Sequence, residues 1–148
     1  MKKKQLRSFY PKNDSLNETW VLYDAADKIL GRAASEIASI LLGKNLPTYT
    51  PGSFTRQHVV VINSEKIKVT GRKFTDKVYY KHTGYKGGLK EITFKDLSKK
   101  KPAEALKKAV NGMLPHNSYG RSLQRKIRFV IGDNHQFDAQ QPVELVKG

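Results

Sequence analysis

The chain has 148 residues, 38% of them hydrophobic, and this size and apolar content suit one folded domain. Its 28 Lys and Arg residues against 13 Asp and Glu residues give a formal net charge of +15, an excess typical of proteins that bind a polyanion. The absence of cysteine excludes disulfides and cysteine-based zinc sites, and the absence of an apolar run of about 18 residues predicts no transmembrane helix.

The chain begins with a basic segment that no apolar stretch follows, which is not the pattern of a secretory signal. Residues 1–17 are therefore expected to form a basic N-terminal arm, and residues 18–148 a single domain. A basic membrane-binding protein is the competing class. It would need an amphipathic basic helix with bulky apolar residues on one face, and the sequence offers no convincing one.

The first elements form a strand–helix–strand unit. The apolar run at residues 20–23 predicts a strand, and a helix follows because apolar residues recur at helical spacing, with stop signals at Gly43 and Pro47. The members of that stripe are Leu30, Ala33, Ala34, Ile37 and Leu41. Residues 58–63 are dominated by a continuous β-branched run, typical of a strand covered on both faces in a parallel sheet.

The middle of the chain is expected to be extended. Residues 67–70 alternate and predict a short extension of the sheet before Gly71. Residues 77–82 predict a further extended segment, with Lys77, Tyr79 and Lys81 on one face and the residues between them on the other. Residues 83–88, which contain three glycines, predict a loop.

The C-terminal third predicts short helices and a last strand. Thr93 and Asp96 resemble a capping box, and Pro102 fits the first turn of the next helix, which Pro115 ends. Residues 118–126 read as helical and residues 129–131 as the last strand, with an ambiguous junction near residue 127. The polar tail from Gly132 is expected to be irregular.

The positive charge is concentrated. Residues 66–108 hold 14 Lys or Arg and only four acidic residues, and tyrosines and Gly-rich turns lie between them. Cations neutralise phosphates, aromatic rings stack on unpaired bases, and glycines let the two backbones approach. This mixture predicts RNA binding. The alternative for the tyrosines is packing in the core, behind a solvated basic face.

Three arginines near the C-terminus extend this prediction. Arg121, Arg125 and Arg128 follow each other at helical spacing, so a continuing helix would present them on one face. The planar guanidinium group suits phosphate oxygens. The alternative is an ordinary charged helix surface in contact with solvent.

The signals for an enzyme are weak. The loop at residues 83–88 lacks the order of glycines, lysine and hydroxyl residue that a phosphate-binding loop requires. The four histidines, His58, His82, His116 and His135, are far apart, so no metal site is predicted. Asp24 and Asp27 are close together, but turn and helix-start roles are the expected ones for them.

Several long motifs carry a resemblance. They comprise residues 69–88, residues 112–115 with Gly120 and Arg121, residues 139–142, and near the start of the domain the pair at residues 24–25 and the triplet at residues 30–32. Over residues 20–145 the chain resembles the bacterial-type ribosomal protein L13 family of the large subunit. The resemblance implies an α/β fold: a three-layer α/β/α domain with a mostly parallel four-stranded sheet. It also implies binding to large-subunit ribosomal RNA and to neighbouring ribosomal proteins, and a role early in subunit assembly.

The resemblance further implies no enzymatic activity, no cofactor, no membrane partner and no small-molecule substrate. Seven residues fall within the family's RNA-facing segments: Arg72, Lys73, Lys77, Tyr80, His82, Lys86 and Arg121. From charge and position we add Lys2, Lys3, Lys4, Arg32, Lys44, Lys81, Tyr85, Arg125, Lys126 and Arg128. The chain departs from the family in its longer arm and in a single histidine, His135, where relatives often carry two.

Two alternative functions, one enzymatic and one regulatory, compete with the ribosomal one. A small α/β enzyme acting on nucleotides or RNA would need a pocket with converging titratable groups. A regulatory protein that binds messenger RNA or another protein off the ribosome would use the same basic surface. The arm lacks the composition of a transit peptide, which favours a ribosome in the bacterial cytoplasm over an organellar one.

Overall fold

A computed structural model describes residues 10–11 and 18–145. In chain order the helices and strands are β1 (Thr19–Asp24), α1 (Leu30–Leu41), β2 (Gln57–Ile62), α2 (Lys73–Asp76), β3 (Val78–His82), β4 (Leu89–Thr93), α3 (Phe94–Lys100), α4 (Glu104–Met113), α5 (Ser118–Gln124), β5 (Ile127–Phe129) and β6 (Val143–Glu144). A short 3₁₀ turn at Asp138–Gln140 precedes β6. No helix in this described part of the chain is long and apolar enough to cross a membrane.

The strand–helix–strand unit is confirmed. β1 and β2 pair in parallel along their whole length, from Thr19 opposite Gln57 to Asp24 opposite Ile62. All five residues of the predicted apolar stripe of α1 are buried. Alternating apolar positions of β1 and β2 belong to the same core cluster as this stripe, so the periodicity of each segment decided which face it buries.

The main sheet has four strands in the order β5-β2-β1-β6, and every neighbouring pair is parallel. The fold is therefore mixed α/β and compatible with the three-layer α/β/α arrangement that the resemblance implies. Residues 67–70 do not extend this sheet as a strand; only an isolated bridge joins Ile29 and Lys68. The predicted strand at residues 129–131 lies two residues earlier, because Ile127–Phe129 pairs with Val59–Val61.

The tail from Gly132 contains more regular structure than expected. β6 hydrogen-bonds beside β1, and the Leu145 N–H donates to the Leu22 carbonyl at 3.1 Å. Phe137 stacks on Trp20 with ring centroids 6.0 Å apart, and Trp20 stacks on His58 at 4.4 Å. The tail thus supplies an edge strand and covers an aromatic pair on β1 and β2.

Among the described residues, a second, antiparallel sheet consists of β3 and β4 alone. The extended segment at residues 77–82 is confirmed as β3, whereas β4 and the four-residue helix α2 were not predicted. On one face of this hairpin Tyr79 and Ile92 are opposite each other and pack against the core cluster. The rest of the hairpin extends away from the core.

The N-cap that the capping-box pattern predicted before α3 is confirmed. The Thr93 hydroxyl accepts a hydrogen bond from the Asp96 N–H at 3.2 Å and donates one to the Asp96 carboxylate at 2.7 Å. The prediction for Pro102 is wrong, since this residue lies in a turn and α4 begins only at Glu104. Fully buried Leu106 and Val110 of α4 belong to the same core cluster as the stripe of α1.

Candidate nucleic-acid interface

The cations between residues 72 and 108 form the candidate interface. All twelve side chains are exposed. The ion pairs found among the described residues lie elsewhere: Glu18–His58, Lys66–Asp133, Lys68–Asp27 and His135–Asp138. Two of the four acidic residues in this stretch instead hydrogen-bond local threonines, Asp76 to Thr75 and Asp96 to Thr93. The positive charge here is therefore not neutralised by ion pairs within the described chain.

The hairpin places like charges directly opposite each other. In the antiparallel register, Lys81 of β3 faces Lys90 of β4, and both side chains are exposed. Directly opposed like charges destabilise a strand pair. A polyanion lying along the hairpin would remove this repulsion, so the arrangement suits a phosphate backbone better than free solvent.

Two tyrosines project from the same hairpin. Tyr80 is 62% exposed and Tyr85, at the tip, is 80% exposed. Tyr79 behaves differently, because it is half-buried against the core and burial raises the pKa of its hydroxyl. The core-packing alternative therefore describes Tyr79, while Tyr80 and Tyr85 have rings free to stack on bases.

The loop that carries Tyr85 has a defined shape. The Thr83 N–H donates to the Gly88 carbonyl at 3.0 Å, and the Gly88 N–H donates to the Tyr85 carbonyl at 2.9 Å. A side chain at Gly88 would collide with the Thr83 hydroxyl and the Tyr85 carbonyl oxygen, so only glycine fits there. The His82 Nδ1 accepts a hydrogen bond from the Gly84 N–H at 2.9 Å, which leaves its Nε2 directed away from that contact.

The three arginines do not share one helix face, and this prediction is wrong. α5 ends at Gln124, so Arg125 is its C-cap and Arg128 lies on β5. The helical spacing still applies to Arg121 and Arg125. Arg128 folds back, and its Nη1 donates to the Arg125 carbonyl at 2.7 Å. All three side chains are exposed. The position of Arg128 is set by β5 and by its hydrogen bond to the Arg125 carbonyl.

The remaining predicted residues are dispersed. Lys126 is half-buried and its ammonium donates to the Thr55 carbonyl, so it is engaged within the protein. Burial, with the nearby Arg56 charge, lowers the pKa of Lys126 despite the attraction of Glu18. Arg32 is exposed in the first turn of the 12-residue α1, and Lys44 is exposed three residues beyond its last residue, so the two lie near opposite ends of this helix. Lys2, Lys3 and Lys4 lie outside the described residues.

The candidate interface contains further lysines that were not among the predicted RNA contacts. Lys90 joins the interface only because β4 pairs with β3. Further exposed lysines lie in the segment from α3 to α4: Lys95, Lys99, Lys100, Lys101, Lys107 and Lys108. All of these lysines lie within residues 66–108, the segment whose positive charge predicted RNA binding. The net charge of that segment was therefore the signal that could have identified them.

Asp24 and Asp27, the two carboxylates considered as a catalytic pair, both have structural partners. The Asp24 carboxylate accepts hydrogen bonds from the Ala26 N–H at 2.9 Å and the Asn63 amide at 3.0 Å. Burial tends to raise the pKa of this carboxyl, but these hydrogen bonds and nearby lysines hold it below its usual value. Asp27 pairs with Lys68 at 2.7 Å. Over residues 10–11 and 18–145, no group of three or more His, Cys, Asp or Glu residues could hold a metal ion.

Comparisons with known proteins agree with the resemblance. The family model described as ribosomal protein L13 matches residues 18–136. The large ribosomal subunit protein uL13 of Ruthia magnifica subsp. Calyptogena magnifica is 50% identical over 140 residues, 95% of this chain and 99% of that protein. The uL13 of Geobacter sp. strain M21 is 51% identical over 134 residues, covering 90% and 94%. That of Francisella philomiragia subsp. philomiragia is 48% identical over 137 residues, covering 93% and 96%.

Proposed function

The chain belongs to the ribosomal protein L13 family, and from this premise we propose that it is a structural constituent of the large ribosomal subunit that binds large-subunit ribosomal RNA. It acts without enzymatic chemistry, beside neighbouring ribosomal proteins. The bacterial sources of its relatives agree with a ribosome in the bacterial cytoplasm. We further propose a role early in subunit assembly, in which the basic surface fixes segments of RNA.

The observation that carries this function is the hairpin of β3 and β4. It extends from the core, exposes Lys81 and Lys90 opposite each other, and presents Tyr80 and Tyr85 for stacking. Two-stranded ribbons with cations and free aromatic rings suit an RNA of mixed paired and unpaired segments. The individual contacts, and the division into an arm at residues 1–17 and a domain at residues 18–148, stay predictions.

Salt-dependent binding to large-subunit ribosomal RNA tests the proposal. The full chain should bind an in vitro transcript of bacterial large-subunit RNA with an affinity that falls steeply as salt rises, by a log–log slope of about −0.7 to −0.9 per phosphate contacted. It should also sediment with the large subunit through a sucrose gradient at moderate salt. A flat salt response, together with protein that stays at the top of the gradient, would contradict the proposal.

A further inference from the structure

A groove beside the hairpin has the features of a nucleotide site. It lies between the start of α1 and the C-terminal half of α4, with a cavity volume of about 380 Å³, within the range of small-ligand sites. Its apolar walls include Val69, Ala109 and Met113. Its polar side is formed by Thr70 and the lysines Lys73, Lys77 and Lys108, and none of the described residues that line it is acidic.

The lysines at this groove are concentrated by the fold. The Lys77 and Lys108 ammonium groups lie 5.4 and 4.9 Å from the centroid of the same ring, that of Tyr79. Two cations therefore share one aromatic ring, although they are 31 positions apart in the chain. None of the three lysines makes an ion pair with the described residues. This cluster of positive charge favours an anionic occupant.

Two glycines keep the groove open. Gly31 is the second residue of α1, and Gly112 is the last but one of α4. Glycine weakens a helix relative to alanine, and it is usually retained where the backbone needs a positive φ or where a neighbour is too close for a side chain. Neither reason applies, because both have ordinary φ values and a Cβ at either would meet nothing within 4 Å. Both glycines line the groove, so the open space beside them adjoins it.

We propose that the groove receives one unpaired nucleotide of the large-subunit ribosomal RNA. Its base lies against the apolar wall, and its phosphate lies beside the three ammonium groups, where charge and shape both fit. Lys77 directly precedes β3, so the groove continues the basic hairpin and the same RNA strand can reach both. This inference rests on the proposed function and assigns to it a specific pocket.

Filling the groove without changing its charge tests the inference. Gly112→Leu adds a side chain at a position with open space and ordinary helical geometry, so the domain should remain folded. We expect its affinity for the large-subunit RNA transcript to fall about ten-fold, the scale of one lost base contact. Gly112→Ala, which adds one methyl group, should weaken binding much less. Chemical probing of the RNA 2′-hydroxyls should show one unpaired nucleotide protected by the wild-type protein and reactive with Gly112→Leu.

The matched control is Ser35→Leu, which adds the same side chain on an exposed position of α1 outside the groove. It should bind RNA like the wild type. Gly31→Leu fills the groove from the opposite wall and should reproduce the loss. Loss of folding in both glycine variants would contradict the open space on which the inference rests.

The outcomes separate this inference from the proposed function. If Gly112→Leu binds like the wild type while charge-removing variants of the hairpin still weaken binding, the groove holds no nucleotide and RNA binding stands. If Gly112→Leu keeps its RNA affinity but its assembled subunits lack a neighbouring protein, the occupant is a protein and the inference is wrong. If the wild-type protein itself does not bind the RNA, both proposals fall.

Discussion

The opposed pair Lys81 and Lys90 predicts that one substitution will stabilise the free protein and weaken its complex. Lys81→Gln keeps an unbranched polar side chain, shorter than that of lysine, but removes one of two like charges that face each other across the hairpin. Relief of such repulsion is worth about 0.2–1 kcal/mol. For a domain of this size, a gain of about 0.5 kcal/mol raises Tm by about 1–2 °C.

The effect on RNA binding should have the opposite sign. If Lys81 neutralises one phosphate, its loss removes one released counterion, which lowers affinity about five- to eight-fold at 0.1 M salt and makes the salt slope shallower by about 0.7–0.9. Thermal unfolding of the free protein and filter binding from 50 to 200 mM salt measure the two effects. Opposite signs are the diagnostic result, since a merely damaged fold would lower both quantities.

The matched control is Lys66→Gln, which removes the same charge from an exposed lysine 3.8 Å from Asp133. Exposed ion pairs contribute about 0–1 kcal/mol, so its stability should fall slightly or stay unchanged, and the salt slope should not change. The reasoning is refuted if Lys81→Gln lowers Tm, or if its salt slope equals that of the wild type.

Substitutions at Gly120, Tyr85 and His58 test close packing, base stacking and burial of a titratable group. Gly120→Ala would place a Cβ against the backbone carbonyl of Pro115, so urea unfolding should show a loss of about 1–3 kcal/mol, whereas Gly112→Ala, which meets nothing, should be neutral or slightly stabilising. Tyr85→Ala should cost about 1–3 kcal/mol of RNA binding with no change in Tm, because the ring that we propose to stack on RNA is 80% exposed in the free protein. Burial lowers the pKa of His58 and outweighs the attraction of Glu18 at 2.9 Å, so the unfolded chain binds more protons in mild acid. The contribution of this histidine to stability is therefore complete above about pH 6.5 and decreases as pH falls below it, and His58→Gln should flatten the change in urea midpoint between pH 7.5 and 5.5.

Segments with strong local periodicity were predictable. The stripe from Leu30 to Leu41 and the β-branched run of β2 define a βαβ unit, because burial on one helix face or on both strand faces is encoded in residue spacing. The hydrogen bond that the Asp96 N–H donates to the Thr93 hydroxyl joins residues three apart, so this N-cap too is local. Charge by segment identified the region of the candidate interface, since Coulomb fields depend on composition more than on register.

The tertiary structure decided what depends on distant partners. β4 carries no apolar alternation and is a strand because β3 pairs with it, so Lys90 could not be placed opposite Lys81 from sequence. β6 is two residues long and exists because β1 offers an edge. The face assumed for Arg121, Arg125 and Arg128 failed because β5 begins at Ile127 to pair with Val59.

The groove beside the hairpin also depends on tertiary contacts and not on local sequence. Residues from three separate segments, around positions 29–31, 69–77 and 108–113, surround one space. Each of the lysines among them was part of a charge excess visible in the sequence, but no spacing rule relates Lys77 to Lys108 or Gly31 to Gly112. Local patterns fix the strongly periodic elements and composition fixes the net charge. A binding site requires long-range contacts, and the packing of α1 and α4 around the common core brings those side chains together.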